Sequence, residues 1–317
     1  MSQDSLTLDP EVLAAQERIR EAGVMNGDVL APSLDEARAA THRFQAFLNR
    51  GGPEMENVTE HEIPATPPLR LRLYRPKGAV GALPVYLHIH GGGFAFGSLD
   101  ALDRWKREIA EEAGVAVAGL DYALSPEHRF PTAIGQVMAA LAWLRSEGAG
   151  HGLDTARLAV GGDSAGGNLA LNALLRLRDA GEAPPALGVI IYGMLSAAHE
   201  TASHREMGDG RFGLSTVKLE RFWTHYLPDP ALRGDAAAAP LHAALHGLPP
   251  LLLQAAALDP LLDDTLALAT RLKEAGAPHS LTLYDGVPHG FIAQTALLSK
   301  ARGARAEVSK ALRNAFG

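Results

Sequence analysis

Apolar segments of strand length alternate with amphipathic segments of helical length along most of this chain. The predicted strands are residues 70–74, 85–90, 115–122, 157–162, 187–192, 251–257 and 280–284. The predicted helices between and after them are residues 133–146, 169–179, 263–275 and 296–315. Because strands that alternate with helices form βαβ units, we predict an α/β fold with a mostly parallel central sheet flanked by helices.

Two stretches do not follow this alternation. Residues 1–50 are helical in pattern: Pro10 suits the first turn of one helix, and Ser33 with Glu36 forms a capping box at the start of another. Residues 196–239 have little strand character and form an insertion between two strands. The chain therefore divides into an N-terminal helical part (1–50), a first core part (51–195), the insertion (196–239) and a second core part (240–317).

Charge and composition exclude several classes of protein. The 317 residues carry 29 basic and 36 acidic side chains, a net charge of −7, whereas a nucleic-acid-binding protein needs a basic face. No apolar run approaches the roughly 18 residues of a membrane helix, and Met1 to Asp4 lack the basic and apolar regions of a leader peptide. We therefore expect a cytoplasmic protein with no nucleic-acid partner and no membrane. The absence of cysteine excludes disulfides, thiolate zinc sites and a cysteine nucleophile.

The motif Gly162-Asp163-Ser164-Ala165-Gly166 lies between a predicted strand and a predicted helix. In this G-x-S-x-G context, a serine on a tight turn presents its hydroxyl at the carboxyl end of the sheet. The N-terminus of the following helix places N–H groups and a positive dipole beside a developing oxyanion. A phosphate-binding loop is excluded because Gly167 stands where that motif needs lysine. We predict that Ser164 is a nucleophile, the alternative being a glycine-rich turn without chemistry.

A second motif, His90-Gly91-Gly92-Gly93-Phe94, follows directly on a predicted strand. A serine nucleophile needs backbone donors for the tetrahedral oxyanion, from the residue after the serine and from an early strand–helix loop. The amides of Gly91, Gly92 and Ala165 are the predicted donors, because glycines let the backbone approach the substrate. Without the serine motif, the glycine run would predict only a flexible turn.

An orienting acid and then a histidine base are expected after the serine. Asp259 follows an apolar run, and His289 follows the last predicted strand. Asp263 and Asp264 are alternative acids, although their position suits the N-terminal cap and first turn of the next helix. We predict that His289 is the base and Asp259 its partner, so that activity falls as the pH drops through roughly 6–7.

Two further histidines raise the question of a metal site. His88 and His90 lie on the same face of one predicted strand, but no third ligand is found at a useful spacing. Structural histidines are therefore the better interpretation, and we predict neither a metal nor a cofactor.

Together these motifs resemble those of the hormone-sensitive-lipase-like family of bacterial carboxylesterases, within the α/β-hydrolase superfamily. The matching segments are HGGGFAFGS (90–98), DYALSPEHRFPTA (121–133), GGDSAGGNLA (161–170), DPLLD (259–263) and PHGF (288–291). The resemblance implies an α/β-hydrolase fold with a helical cap made of residues 1–50 and 196–239. One departure is Ala123, where the family usually has an arginine, so any ion pair of that arginine with Asp121 is absent or remade.

The resemblance also implies an activity: a serine carboxylesterase that hydrolyses small-molecule, short-chain acyl esters through an acyl-enzyme. A true lipase is not expected, since no long apolar cap helix is present. An amidase or N-deacetylase with the same three residues is one alternative, and a ligand-binding protein without activity is another. A homodimer through the last sheet edge is a further expectation from the family. The side chains that we expect to line the substrate pocket are Phe94, Phe96, Met207, Phe212, Trp223 and Phe291.

Overall fold

An eight-stranded sheet forms the centre of the protein, which the computed structural model describes over residues 6–317. The strands are β1 (Met55–Ile63), β2 (Leu69–Pro76), β3 (Leu83–Ile89), β4 (Ala116–Asp121), β5 (Leu153–Asp163), β6 (Leu187–Ile191), β7 (Leu251–Leu258) and β8 (His279–Pro288). Their order across the sheet is β1-β2-β4-β3-β5-β6-β7-β8. Strand β2 is antiparallel to β1 and to β4, and the other neighbouring pairs are parallel. The predicted mostly parallel sheet is therefore confirmed.

Strand β1 is the one strand of this sheet that the sequence pattern did not predict. It lies at the sheet edge, and most of its residues are exposed or only half-buried. Its glutamates at 56, 60 and 62 hide any apolar periodicity. An edge strand that faces water does not need a buried face along its whole length, so hydropathy alone cannot reveal it.

Helices cover both faces of the sheet. Helices α1, α3 and α9 pack on one face, around a core that includes Val12, Trp105 and Val308. Helices α4, α5 and α8 pack on the other, around Val137, Leu171 and Leu268. The helices are α1 (Pro10–Glu21), α2 (Leu34–Leu48), α3 (Asp103–Ala113), α4 (Thr132–Ser146), α5 (Ala165–Asp179), α6 (Ala202–Met207), α7 (Thr216–Tyr226), α8 (Leu262–Glu274) and α9 (Ser299–Phe316).

The two N-terminal helices have different surroundings. Helix α1 packs beside α9, where Glu11 Oε2 accepts a hydrogen bond from the amide of Ser299 at 2.6 Å. Helix α2 reaches the loops that follow β3 and β4: Arg38 Nε donates to the carbonyl of Ala95 at 2.9 Å and Arg38 Nη2 to that of Ser125 at 3.0 Å. Ser33 caps α2 by accepting from the amide of Glu36, as the capping box predicts.

Helices α6 and α7 belong to the insertion between β6 and β7. An ion pair at 3.2 Å joins Lys218 Nζ on α7 to Asp28 Oδ2 in the segment between α1 and α2. The predicted insertion and the N-terminal region are thus in direct contact.

Asp121 at the end of β4 pairs with an arginine other than the one that the family resembled by this sequence usually has at position 123. The register of β2 with β4 places Arg70 opposite Asp121, and Arg70 Nε donates to Asp121 Oδ2 at 3.1 Å. The ion pair that the missing arginine at position 123 would make is therefore remade from the neighbouring strand.

No helix within residues 6–317 combines the length and the apolar character needed to cross a membrane. Residues 1–4, on which the expectation of a missing leader peptide rests, lie outside the described part of the chain.

Candidate active site

Three predicted site residues follow three parallel strands and meet at one edge of the sheet. Ser164 comes directly after β5, Asp259 directly after β7, and His289 directly after β8. Because the carboxyl ends of parallel strands lie at the same edge, residues far apart in sequence become neighbours there.

Ser164 occupies a strained turn between β5 and α5. Its backbone has φ 55° and ψ −120°, a conformation that a residue with a side chain rarely adopts. The turn is held in place because the amide of Ser164 donates to the carbonyl of Ile191 at 2.9 Å. A β-carbon at Gly166 would overlap the carbonyl of Ile89, so the helix can start this close to β3 only with glycine there. The strand–turn–helix arrangement predicted for the motif is present.

The side chains of Ser164, His289 and Asp259 form a continuous hydrogen-bonded path. His289 Nε2 lies 2.9 Å from Ser164 Oγ, and His289 Nδ1 lies 2.6 Å from Asp259 Oδ2. An ionised carboxylate can only accept, so Nδ1 carries the hydrogen and Nε2 is free to take the serine proton. Asp259 is fully buried, and its Oδ1 accepts from the amide of Leu261 at 2.9 Å. This carboxylate is therefore held in a single orientation toward the imidazole.

The pKa of His289 reflects two opposing effects. Burial lowers it, whereas the charge of Asp259 and the hydrogen bond to it raise it, and the net pKa lies above the usual value of 6.5. The arrangement therefore stabilises the imidazolium that forms when the imidazole accepts a proton.

The two alternative acids, Asp263 and Asp264, bind backbone amides at the start of the insertion and just before it. Asp264 Oδ2 accepts from the amides of Leu195 and Ser196 at 2.9 and 3.0 Å, and Asp263 Oδ2 accepts from that of Ser203 at 2.9 Å. Asp264 is fully buried, and this burial raises its pKa to about 7. Asp259 is the acid that contacts His289.

His88 and His90 contact different partners. His88 Nε2 lies 3.2 Å from Asp163 Oδ1, while His90 Nδ1 lies 2.7 Å from the carbonyl of Gly91 and its ring stacks on Tyr122. Burial lowers the pKa of both, that of His90 to about 4. Across residues 6–317, no group of three or more histidine, aspartate or glutamate side chains is arranged to hold a metal ion.

The glycine loop after β3 lies beside Ser164, but its three amides are not equivalent. The amide of Gly91 donates to Asp163 Oδ1 at 3.0 Å, so its hydrogen is already engaged. Within the described chain, the amides of Gly92 and Gly93 have no hydrogen-bond acceptor. Ala165 is the first residue of α5, so its amide has no acceptor within the helix. The sequence prediction included Gly91 and not Gly93, because a run of glycines does not reveal which amide is bound internally.

A cavity of about 400 Å³ opens above Ser164 and His289. Of the six side chains expected to line it, Phe96 and Phe212 do so. The other four are packed elsewhere: Phe94 stacks on Tyr226, Phe291 contacts Tyr192, and Met207 and Trp223 are buried in apolar clusters. The apolar side chains that line the cavity but were not predicted include Val29, Phe44, Met194, Leu214, Leu219 and Phe222.

The wall of the cavity combines parts of the chain that are distant in sequence. Residues 26–29 and 41–49 contribute one part and residues 212–222 another, together with the glycine loop and His289. The signal that could have found Phe222 is the helical spacing of α7, on which Trp223 faces the core and its neighbour faces the cavity.

Comparisons with known proteins identify the family of this chain. A family model described as alpha/beta hydrolase fold matches residues 86–293. The ethyl acetate hydrolase of Pseudomonas putida is 35% identical over 307 residues, which cover 93% of this chain and 95% of that protein. The carboxylic ester hydrolase LipN of Mycobacterium tuberculosis is 34% identical over 298 residues, covering 91% and 78% of the two chains.

Two solved structures have nearly the same fold. An ester hydrolase from the metagenome of Lake Arreo in Spain, solved with a bipyridine phosphonate derivative, has a TM-score of 0.90 and 34% identity, with 98% of this chain and 100% of that chain covered. The hyperthermophilic esterase of the archaeon Pyrobaculum calidifontis has a TM-score of 0.90 and 29% identity, with the same coverage.

Proposed function

Since this chain belongs to the hormone-sensitive-lipase-like family of α/β-hydrolase esterases and is a carboxylic ester hydrolase, we propose that Ser164, His289 and Asp259 perform its reaction. Ser164 is the nucleophile, His289 the general base and acid, and Asp259 the acid that orients the imidazole. The single observation that carries this assignment is the hydrogen-bonded path through the three side chains, at 2.9 and 2.6 Å.

The reaction proceeds in two acyl transfers. Ser164 Oγ attacks the ester carbonyl while its proton passes to His289 Nε2, and Asp259 stabilises the resulting imidazolium. Collapse of the tetrahedral intermediate breaks the bond to the alcohol oxygen, which takes the proton from Nε2 and leaves an acyl-enzyme. Water then attacks the acyl-enzyme with the same proton transfers, releasing the carboxylic acid and restoring Ser164.

The oxyanion of each intermediate is bound by backbone amides. We assign Gly92, Gly93 and Ala165 as the donors, because these amides lie beside Ser164 and have no acceptor within residues 6–317. The Gly91 amide is engaged with Asp163 and fixes the start of the loop. Donors placed beforehand in this way stabilise charge as it develops, with no cost of reorganisation during the reaction.

The substrate is a small-molecule ester with a short acyl chain. Support comes from a cavity of about 400 Å³, which suits a small ligand, and from the ethyl acetate named for the 35% identical relative. In this proposal the N-terminal part (1–50) and the insertion (196–239) supply the cap through residues 26–29, 41–49 and 212–222, which reach the cavity, whereas α1 packs on the sheet beside α9. The relatives are ester hydrolases, which favours esters over amides.

A homodimer through the edge of β8 belongs to the same proposal. This strand ends the sheet, and Leu281 and Leu283 on it are 36% and 42% exposed, more than is usual for leucine. Sedimentation velocity of the purified enzyme should therefore give a mass near twice 33.5 kDa, and a 33.5 kDa species alone would refute the dimer.

The test of the assignment is hydrolysis of p-nitrophenyl acyl esters from C2 to C12 by the enzyme and by Ser164→Ala. We expect a maximum among the short chains, with kcat of the variant lower by on the order of 10³ or more. Ser146→Ala is the matched control, since Ser146 is exposed at the end of α4. Hydrolysis by Ser164→Ala at the normal rate would refute the assignment, as would labelling of another residue by an alkyl phosphonate.

A further inference from the structure

We propose that Asp163, the residue before the nucleophile, is a positioning residue for this reaction: it holds the glycine loop in register and places a second carboxylate near His289. The inference rests on the proposed roles of Ser164 and His289. It assigns to the variable position of the G-x-S-x-G motif a function that the motif does not require.

The first observation is the contact between Asp163 and the glycine loop. Strands β3 and β5 are parallel neighbours with Ile89 opposite Gly162, so their carboxyl ends lie side by side. Asp163 Oδ1 accepts the amide hydrogen of Gly91 at 3.0 Å. This bond fixes the peptide plane between His90 and Gly91. The amides of Gly92 and Gly93 follow directly in the chain, so their directions depend on that plane. Without it, the loop that supplies two oxyanion donors loses its link to the strand that carries the nucleophile.

The second observation is a chain of buried hydrogen bonds behind Asp163. Its Oδ1 lies 3.2 Å from His88 Nε2, and His88 Nδ1 lies 3.2 Å from the hydroxyl of Tyr86. His88 is 1% exposed, and burial lowers its pKa, so the ring is neutral. A carboxylate only accepts, so Nε2 donates to Asp163 and Nδ1 accepts from Tyr86. Asp163 Oδ1 thus accepts from both His88 and the Gly91 amide, and these two bonds orient the carboxylate that holds the loop.

Asp163 also acts on His289 through its charge. Asp163 and His289 both face the catalytic cavity, and the negative charge of Asp163 contributes, after that of Asp259, to raising the pKa of His289. The other titratable groups near Asp163 are Tyr86, His88, His90, Lys106, Tyr122 and Tyr192. Burial lowers the pKa of both histidines and lowers that of Lys106 to about 8. Burial raises the pKa of the three tyrosines. A displacement of the acidic limb between the enzyme and a variant at position 163 therefore reports on the charge of Asp163, because the other titratable groups are common to both proteins.

Two substitutions separate the two roles. Asp163→Asn removes the charge but keeps an oxygen that can accept from the Gly91 amide and from His88. Asp163→Ala removes both. The measurements are kcat and KM for a short p-nitrophenyl ester, kcat/KM from pH 5 to 7.5, and the inhibition constant of a short-chain trifluoromethyl ketone, which forms an oxyanion on the nucleophile.

In both variants we expect the acidic limb of kcat/KM to move to lower pH, because the imidazolium loses a favourable charge. Only in Asp163→Ala do we expect a further loss of kcat, roughly tenfold or more, with inhibition by the ketone weakened in proportion and KM nearly unchanged. Asp121→Asn is the matched control, since this carboxylate ends β4, on the other side of β3 from Asp163, and binds Arg70 instead of the loop.

Unchanged kcat, ketone inhibition and acidic limb in both variants would overturn the proposal. Equal losses of kcat in both variants with no shift of the limb would also overturn it, since they would indicate general damage. Thermal melts identify a variant that fails to fold. If Asp163→Ala fails to fold, the pH profile of Asp163→Asn still tests the proposal, because an acidic limb that stays in place would overturn it. Failure of the proposed function is recognised separately, by activity that persists in Ser164→Ala.

Discussion

The ring of Phe222, on helix α7, lies directly against the α-carbon of Gly93 in the glycine loop, so that a β-carbon at this position would overlap three ring atoms. The same ring meets Phe96 edge-on, with the ring centroids 6.0 Å apart. The insertion thus packs on the loop that carries two of the proposed oxyanion donors. Closing the cavity and positioning these donors depend on the same contact.

Gly93→Ala should therefore impair both activity and stability. The added methyl group must displace Phe222 or the loop, and alanine at φ +60° adds roughly 1–2 kcal/mol of backbone strain. We expect kcat to fall at least tenfold, because the amide of residue 93 leaves its place. Steady-state kinetics and thermal denaturation of the purified variant measure the two effects.

The matched control for this substitution is Gly303→Ala. Gly303 is exposed within α9, and a β-carbon there would meet nothing within 4 Å. This change should leave kcat unaltered and stabilise the protein by about 0.5–1 kcal/mol, the usual gain from alanine in a helix. If Gly93→Ala behaved like Gly303→Ala, the contact with Phe222 would have no functional importance.

Asp259→Asn should change the pH dependence of activity as well as the rate. Neutral His289 is the active form, so activity is lost as the pH falls through its pKa, which Asp259 holds above 6.5. Without that charge, burial dominates and lowers the pKa of His289, so the acidic limb of kcat/KM should move to lower pH. Loss of the correct tautomer should reduce kcat by about 10⁴-fold.

Measurement of kcat/KM between pH 5 and 8 checks this expectation, with Asp263→Asn as the control. Asp263 lies four residues away and binds the amide of Ser203, which asparagine can still do. An acidic limb that stayed in place in Asp259→Asn, or moved equally in Asp263→Asn, would contradict the assignment of the acid.

Asp264 should make the stability of the folded protein depend on pH. Burial raises its pKa in the folded state to about 7, whereas an unfolded aspartate has a pKa of about 3.9. Between these values only the folded state binds the proton. The contribution to the free energy of unfolding is therefore complete below about pH 4, falls by about 1.4 kcal/mol per pH unit as the pH rises, and is lost above pH 7.

Urea denaturation of the enzyme and of Asp264→Asn at pH 5, 6, 7 and 8 isolates this contribution. The stability of the enzyme relative to the variant should decrease from pH 5 to 7 and then remain level, because all other groups are common to both proteins. A difference that is the same at all four pH values would show that Asp264 is ionised throughout.

Local patterns in the sequence were enough to predict the parallel sheet and the turn at Ser164. These features depend on residues close together in the chain: a strand, a glycine-rich turn and the start of a helix are encoded within the ten residues around Ser164. The capping box at Ser33 and Glu36 is predictable for the same reason.

Only the tertiary structure decided which of several similar residues serves each purpose. Asp259, and not Asp263 or Asp264, contacts His289, because the end of β7 lies beside the end of β8. Phe222, and not the adjacent Trp223, lines the cavity, because neighbouring side chains point about 100° apart around a helix and that of Trp223 is buried in the core. Among residues 6–317, the amide of Gly91 has an acceptor and that of Gly93 has none, because a carboxylate from another strand reaches only the first of them. Each of these outcomes depends on contacts between segments far apart in the chain, which hydropathy and motif spacing do not record.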